Sequence, residues 1–250
     1  MPNKLTVGSC FSGIGGIELG LEWTGGFETK WQIENDPYAS AVLAKHWPNI
    51  KRYGDIRSIR PADLEAVDVI CGGYPCQPFS YAGERTGHKD ERHLWPEMLR
   101  LICHLRPKFA LMENVTGHLS LGFGQVLSDL ASSGYDAEWQ VFCASDVGLP
   151  HRRERVFIIA YPNLQHGQAR LGDFVDWSRE VFDAGYQERH AVRIQASDHL
   201  VGMDDGVRGR AYRLRGGALG NAVSPKVAQK VGEMILRYEA IPTPTREGTK

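Results

Sequence analysis

Short apolar runs alternate with amphipathic stretches over the first two thirds of the chain, and that alternation confines it to strand–helix units around a mostly parallel sheet. Residues 5–10, 29–33, 67–71 and 109–112 read as strands. Residues 17–23, 38–46, 95–105 and 124–132 read as helices, with apolar positions three and four apart. From residue 136 the pattern turns strand-like again at 138–144 and 155–161, which predicts an antiparallel pair closing the sheet edge. Residues from 162 to about 215 are rich in Gly, Asp, Arg and His with little periodicity, so a small irregular second region is expected there. A clear helix returns over 222–238. The tail PTPTREGTK is polar, carries two prolines and is expected to be disordered.

Such an α/β arrangement needs one substantial core, and 250 residues with 42% hydrophobic and 24% charged composition supply it. No apolar run approaches the roughly 20 residues that cross a bilayer, and MPNKLTVGSC lacks the parts of a signal peptide. An intracellular protein without a membrane partner is expected. Five cysteines, scattered and without CxxC spacing, point to neither a disulfide framework nor a zinc site, so no metal is expected. The net charge of −1 argues against a chain held to nucleic acid by overall charge. Arginine clusters at 152–155 and 208–215 leave a local basic groove open.

The first predicted strand runs into CFSGIGGIELGLEW, where Gly13, Gly15 and Gly16 allow a tight turn and close approach of a ligand at a helix start. A strand followed by GxGG serves a dinucleotide, S-adenosylmethionine or a plain turn. Glu34 stands at the end of the second strand, where an acid can accept from two ribose hydroxyls. Asp55 and Ile56 follow in the next turn, a pair suited to an adenine amino group and ring. Each acid could equally be a loop acid or helix cap.

After the apolar VDVI comes CGGYPCQPFS. Pro75 and Pro78 bracket Cys76, and Gly72 and Gly73 remove side chains that would block approach at the mouth of a parallel strand. The alternative is a buried, inert thiol. In LMENV, Glu113 ends an apolar strand in the same position relative to the sheet, so the two side chains could meet. It could also be a capping or salt-bridged acid. In LPHRRERVFII, Arg153 and Arg155 fall on one face of a strand with period two, either in a cleft or on a solvated basic face.

Taken in order, FSGIGG (11–16), ENDPY (34–38), GDI (54–56), GGYPCQPFS (72–80), ENV (113–115), RRERVFII (152–159) and LGNAVSP (219–225) make the chain resemble the cytosine-C5 DNA methyltransferases. The resemblance covers about residues 5–161 and 212–238. It implies a Rossmann-like S-adenosylmethionine-dependent α/β fold: 1–161 a catalytic and cofactor-binding domain, 162–211 a short target-recognition region, 212–240 a returning helix, and 241–250 a tail. Carried over, it makes Cys76 the nucleophile, Glu113 the partner of cytosine N3, and Arg153 and Arg155 the groups that steady base and thiolate. Phe11, Gly13, Ile14, Gly15, Gly16, Glu34, Asp55, Ile56, Pro75, Leu94, Asn221 and Val223 would line the cofactor site. Gln77, Ser80, Arg208 and Arg210 would touch DNA, and residues 81–93 would form a lid over the flipped base. The implied partners are double-stranded DNA and, as a candidate, a cognate restriction endonuclease, with a monomer expected in the cytoplasm of a bacterial or phage-infected cell.

The chain departs from the family's pattern at His151, where glutamine is usual, and at Asn35, where some relatives place an aromatic. The 50 or so residues from 162 to 211, between the motifs, are short for a domain that reads DNA, a compactness resembling phage or prophage members. Arg208, Arg210, Arg213 and Arg215 could contact DNA there or be solubilising charges. The rivals are an RNA cytosine-C5 methyltransferase, a catalytically silent cofactor-binding module, and a nicotinamide-dependent oxidoreductase that leaves the cysteine loop unexplained.

Overall fold

The computed structural model describes residues 3–75, 94–150, 152–163 and 222–240. The elements are β1 (Leu5–Cys10), α1 (Gly16–Trp23), β2 (Phe27–Ile33), α2 (Pro37–His46), β3 (Lys51–Tyr53), β4 (Val69–Gly72), α3 (Trp95–Leu105), β5 (Phe109–Val115), α4 (Phe123–Ser132), β6 (Tyr135–Cys143), β7 (Glu154–Pro162) and α5 (Pro225–Glu239). Among the described residues the strands form one sheet in the order β3-β2-β1-β4-β5-β7-β6. The first five are parallel, and β7 runs antiparallel to both β5 and β6. The expected antiparallel pair does close the edge.

The chain builds outward from β1 to β3 and then crosses back to β4. That reversal opens a crevice beyond the carboxyl ends of β1 and β4, the place where such sheets take ligands. Both faces of the sheet are covered. Phe157, Ile159 and Tyr161 of β7 point into a core shared with α1 and α5, while Val156, Ile158 and Ala160 point into one shared with α3 and α4. The period of two within a fully buried strand thus feeds two separate cores. α2 starts where Asp36 accepts from the Ala39 N–H at 2.8 Å and Pro37 opens the first turn.

α1 and α5 pack without side chains between them at two positions. A Cβ on Gly16 would lie 2.2 Å from the Val223 carbonyl oxygen, and one on Gly20 2.2 Å from that of Pro225. Gly20→Val should therefore force the helices apart and cost about 1 to 3 kcal/mol, the usual penalty for overpacking. Urea unfolding measures it, and an unchanged midpoint would contradict this close approach.

Several boundaries differ from the sequence expectation. β3 has three partly exposed residues, Lys51, Arg52 and Tyr53, too few and too polar to show a period. β5 continues past residue 112 to Val115, because β7 pairs with it at Glu113, Asn114 and Val115 after β4 has ended at Gly72. β7 runs through Pro162, and the last helix starts at Pro225, since a proline is best placed in the first turn. The remainder of the irregular region, 164–211, and the tail 241–250 lie outside the described residues.

Candidate active site at the carboxyl ends of β1, β4 and β5

β1 leaves the sheet through a strained turn. Phe11 has φ 53°, Gly13 55° and Gly15 86°, so three of five residues take the left-handed conformation. For a bulky residue such as Phe11 this costs on the order of 1 to 3 kcal/mol and persists only where surroundings impose it. Ser12 supplies the restraint: its N–H donates to the Ile33 carbonyl at 3.1 Å, and its own carbonyl accepts from the Gly15 N–H at 2.9 Å. A Cβ on Gly13 would meet nothing within 4 Å, so that side of the turn is open.

Glu34, just past β2, faces this turn. Its Oε2 accepts from the Gly13 N–H at 2.6 Å and its Oε1 from the Asp36 N–H at 2.7 Å. The acid thus locks the loop, and each oxygen keeps a lone pair for a further donor. An open turn beside an acid with spare acceptors fits an adenosyl ribose. Asp55 is differently occupied. It caps the 3-10 turn Ile56–Ser58 through the Arg57 N–H at 2.9 Å and pairs with the Arg57 guanidinium, which holds its pKa below the usual carboxylate range. Ile56 is buried, and Leu94 packs against the same core.

β4 ends in Gly72 and leads through Gly73, Tyr74 and Pro75 toward Cys76. The Asn114 amide donates to the Tyr74 carbonyl at 3.2 Å, tying this root to β5. A carbonyl only accepts, so the 3.0 Å contact to Leu121 puts the His118 proton on Nδ1, and Nε2 then accepts from the Tyr74 hydroxyl at 2.8 Å. The Tyr74 ring also packs 5.2 Å from that of Trp95. Tyr74, Asn114 and His118 were not singled out from the sequence as site residues. The signal was adjacency: two of them lie inside GGYPC and ENV.

Glu113 lies within β5, not at its end, opposite Phe157 of β7 and one residue beyond the last partner of β4. It is 7% exposed. A Cβ on Gly73 would come 2.9 Å from Glu113 Oε2, so a larger residue there would require the carboxyl to shift. Arg155 Nε stands 3.0 Å from Oε1 in an ion pair. Burial nevertheless dominates: it pushes the Glu113 pKa up to about 7 against the opposing pull of Arg155 and Arg153. Burial and the neighbouring Arg155 in turn lower the pKa of Arg153, with Glu113 opposing them.

Arg153 precedes β7, which starts at Glu154, yet both arginines face the α5 side as the alternation predicted. They line an open cleft of about 930 Å³ whose walls include Trp23, Arg152, Val223 and Lys226. Val223, expected at the cofactor, sits here and with Gly16 at the α1–α5 contact, so Gly16's missing side chain serves helix packing. Cys76, Gln77, Ser80, the stretch 81–93, His151, Arg208, Arg210, Arg213, Arg215 and Asn221 lie outside the described residues. No group of three His, Cys, Asp or Glu that could hold a metal occurs among the described residues, and none of the described helices is long and apolar enough to cross a membrane.

A family model described as C-5 cytosine-specific DNA methylase matches residues 5–198. The Type II methyltransferase M.Bsp6I of Bacillus sp. (strain RFL6) is 40% identical over 65% of this chain and 54% of its own length. The Type II methyltransferase M.NgoBI of Neisseria gonorrhoeae is 39% identical over 93% of this chain and 81% of its own. A crystal structure of a protein from E. coli, described as a DNA modification methyltransferase encoded within a prophage, superposes with TM-score 0.54 at 30% identity, covering 64% of this chain and 47% of that one. The chain thus spans about half the length of two of these three relatives. The fold is that of the Rossmann-like methyltransferases, and the chain belongs to the C-5 cytosine-specific DNA methylase family.

Proposed function

We propose that the chain is a DNA (cytosine-5-)-methyltransferase using S-adenosylmethionine as methyl donor. The observation that carries this reading is the buried Glu113 carboxyl, with pKa near 7, held over Gly73 three residues before Cys76. Family membership supports cytosine C5 in DNA as the target.

Carbon 5 of cytosine is too weak a nucleophile to take a methyl group unaided. The Cys76 thiolate adds to carbon 6, and the electron pair of the 5,6 double bond moves to carbon 5 and the ring. N3 bears a lone pair, so only the neutral form of Glu113 can donate there; a carboxyl titrating near neutrality can both donate and recover a proton. Arg153 and Arg155 add fixed positive charge beside it. S-adenosylmethionine, when bound, would supply an electrophilic methyl on its sulfonium; carbon 5 attacks that methyl, the sulfur–methyl bond breaks and S-adenosylhomocysteine leaves as the neutral thioether. A base then removes the carbon 5 proton, the carbon 6–sulfur bond breaks, and the thiolate leaves with the ring restored. Glu34 and the turn at Phe11–Gly15 would hold the cofactor. A base stacked in a duplex must flip out to reach these groups. The cationic cleft at Arg152, Arg153 and Lys226 suits a phosphate backbone.

Transfer of a labelled methyl group from S-adenosylmethionine to duplex DNA, with RNA of the same sequence in parallel, tests the reading. Label at carbon 5 of cytosine in DNA alone is expected, and label in RNA alone would transfer the assignment to RNA. Within the same reading, Glu34→Ala should weaken cofactor binding by about 1 to 3 kcal/mol, because it removes a ribose acceptor and frees two backbone donors. Calorimetry reads this directly. Asp55→Ala should do less, since Asp55 is engaged by Arg57.

A further inference from the structure

Below the turn at Phe11–Gly15 lies a buried polar pocket that the chemistry above does not use. Glu18, in the first turn of α1, is 1% exposed, with the hydroxyls of Ser9 and Ser12 and the Gln32 amide beside it. Gln32 Nε2 donates to Glu18 Oε1 at 3.4 Å, and Ser12 Oγ donates to Ser9 Oγ at 2.9 Å. Two buried oxygens, Glu18 Oε2 and Gln32 Oε1, have no donor among the described residues. An isolated buried charge is among the costliest features a core can hold, and each unmet acceptor adds to it. A proton on Oε2 would remove the charge and make that oxygen a donor in place of an orphan acceptor.

We propose that Glu18 is a positioning residue for the cofactor, which fixes the turn at Phe11–Gly15 from beneath through Ser9 and Ser12 without touching the ligand itself. Ser12 connects the pocket to the turn. It stands between Phe11 and Gly13, both left-handed, and its backbone makes the two hydrogen bonds that define the turn. Its side chain points down into the pocket. The neutral carboxyl completes that pocket, whereas the ionised one sets a charge against unmet oxygens and loosens Ser12. Burial drives the Glu18 pKa up, against hydrogen bonds from its own backbone, Ser9, Ser12 and Gln32. The titratable groups facing it are the Cys10 thiol of β1 and the Cys71 thiol of β4, both buried with pKa values raised by burial and then by Glu18, and Arg100 of α3 acts on Cys10 from the far side. Because the folded pKa is raised, the well-held turn is present below that raised value and is lost as pH rises through it.

This inference rests on the turn being the cofactor site. The test is calorimetry of S-adenosylhomocysteine binding to the full chain over a pH series from acid to alkaline in which the chain stays folded, alongside thermal melting. Glu18→Gln, neutral and of the same shape, should bind within about threefold of wild type at the acid end of the series and keep that affinity as pH rises, where wild type weakens. Glu18→Leu should melt cooperatively yet bind about tenfold more weakly, the loss of one buried polar anchor. If Glu18→Leu does not fold, the pH profiles of wild type and Glu18→Gln still decide. Parallel profiles, or a folded Glu18→Leu with wild-type affinity, overturn the inference while leaving the cofactor reading standing. A wild type that does not bind overturns both.

Discussion

Cys76→Ala is expected to lower methyl transfer by at least about 1,000-fold while leaving S-adenosylhomocysteine affinity within about twofold of wild type. The size follows from the chemistry. Without addition at carbon 6, carbon 5 has no electron density to offer, and no neighbouring group replaces a covalent nucleophile. The unchanged affinity follows from the architecture: Glu34 and the turn at Phe11–Gly15 sit beyond β1 and β2, whereas the cysteine loop continues from β4. Steady-state rates and calorimetry on one preparation check both parts. Turnover near wild type would end the assignment of Cys76.

Glu113→Gln should reduce turnover by about 100-fold, within the range that general acid catalysis contributes. The amide can still donate a hydrogen bond to N3, but it cannot transfer a proton. The pH profile carries the sharper expectation. The Glu113 pKa is raised from 4.5 to about 7, so the competent neutral form is present below that value and is lost as pH rises through about 7. Wild-type kcat/KM should therefore fall on the alkaline side of neutrality, while the thiol, which must ionise, gives the acidic limb. Glu113→Gln should keep the acidic limb and lose the alkaline one. The same proton links to folding: the folded state holds it more tightly, so the stability it contributes is full below about pH 4.5 and withdrawn as pH rises to about 7. An alkaline limb that persists in Glu113→Gln would assign the break to another group.

Much of this site was legible because its chemistry demands particular residue types at strand ends, and strand ends announce themselves as apolar runs stopped by Gly or Pro. Gly73, read as removing a side chain that would block approach beside Cys76, has the Glu113 carboxyl as its near neighbour, 2.9 Å from where a Cβ would stand. Gly16 shows the limit. The Val223 backbone, just ahead of α5 and more than 200 residues further along the chain, fills the space a Gly16 side chain would need, and no local pattern reveals such a partner. Glu113 was read as ending its strand because the apolar run stops at Met112. Pairing with β7, a non-local event, carries β5 three residues further. Tyr74 with His118, and Glu18 with Gln32, form polar pairs 44 and 14 residues apart. Each residue alone reads as ordinary helix, strand or loop polarity, and only the fold makes it a partner.

The most direct test of the central claim is a duplex carrying 5-fluorocytosine at the target, incubated with the chain and S-adenosylmethionine and examined by denaturing electrophoresis and mass spectrometry. Fluorine cannot leave as a proton does, so the final elimination is blocked after the thiol has added and the methyl group has transferred. A denaturant-stable complex is predicted whose mass equals chain plus DNA plus CH2, because the thiol proton is lost as the methyl group is gained, mapping to Cys76 and absent for Cys76→Ala. Methylation of ordinary cytosine without any such trapped complex would contradict the covalent route through Cys76.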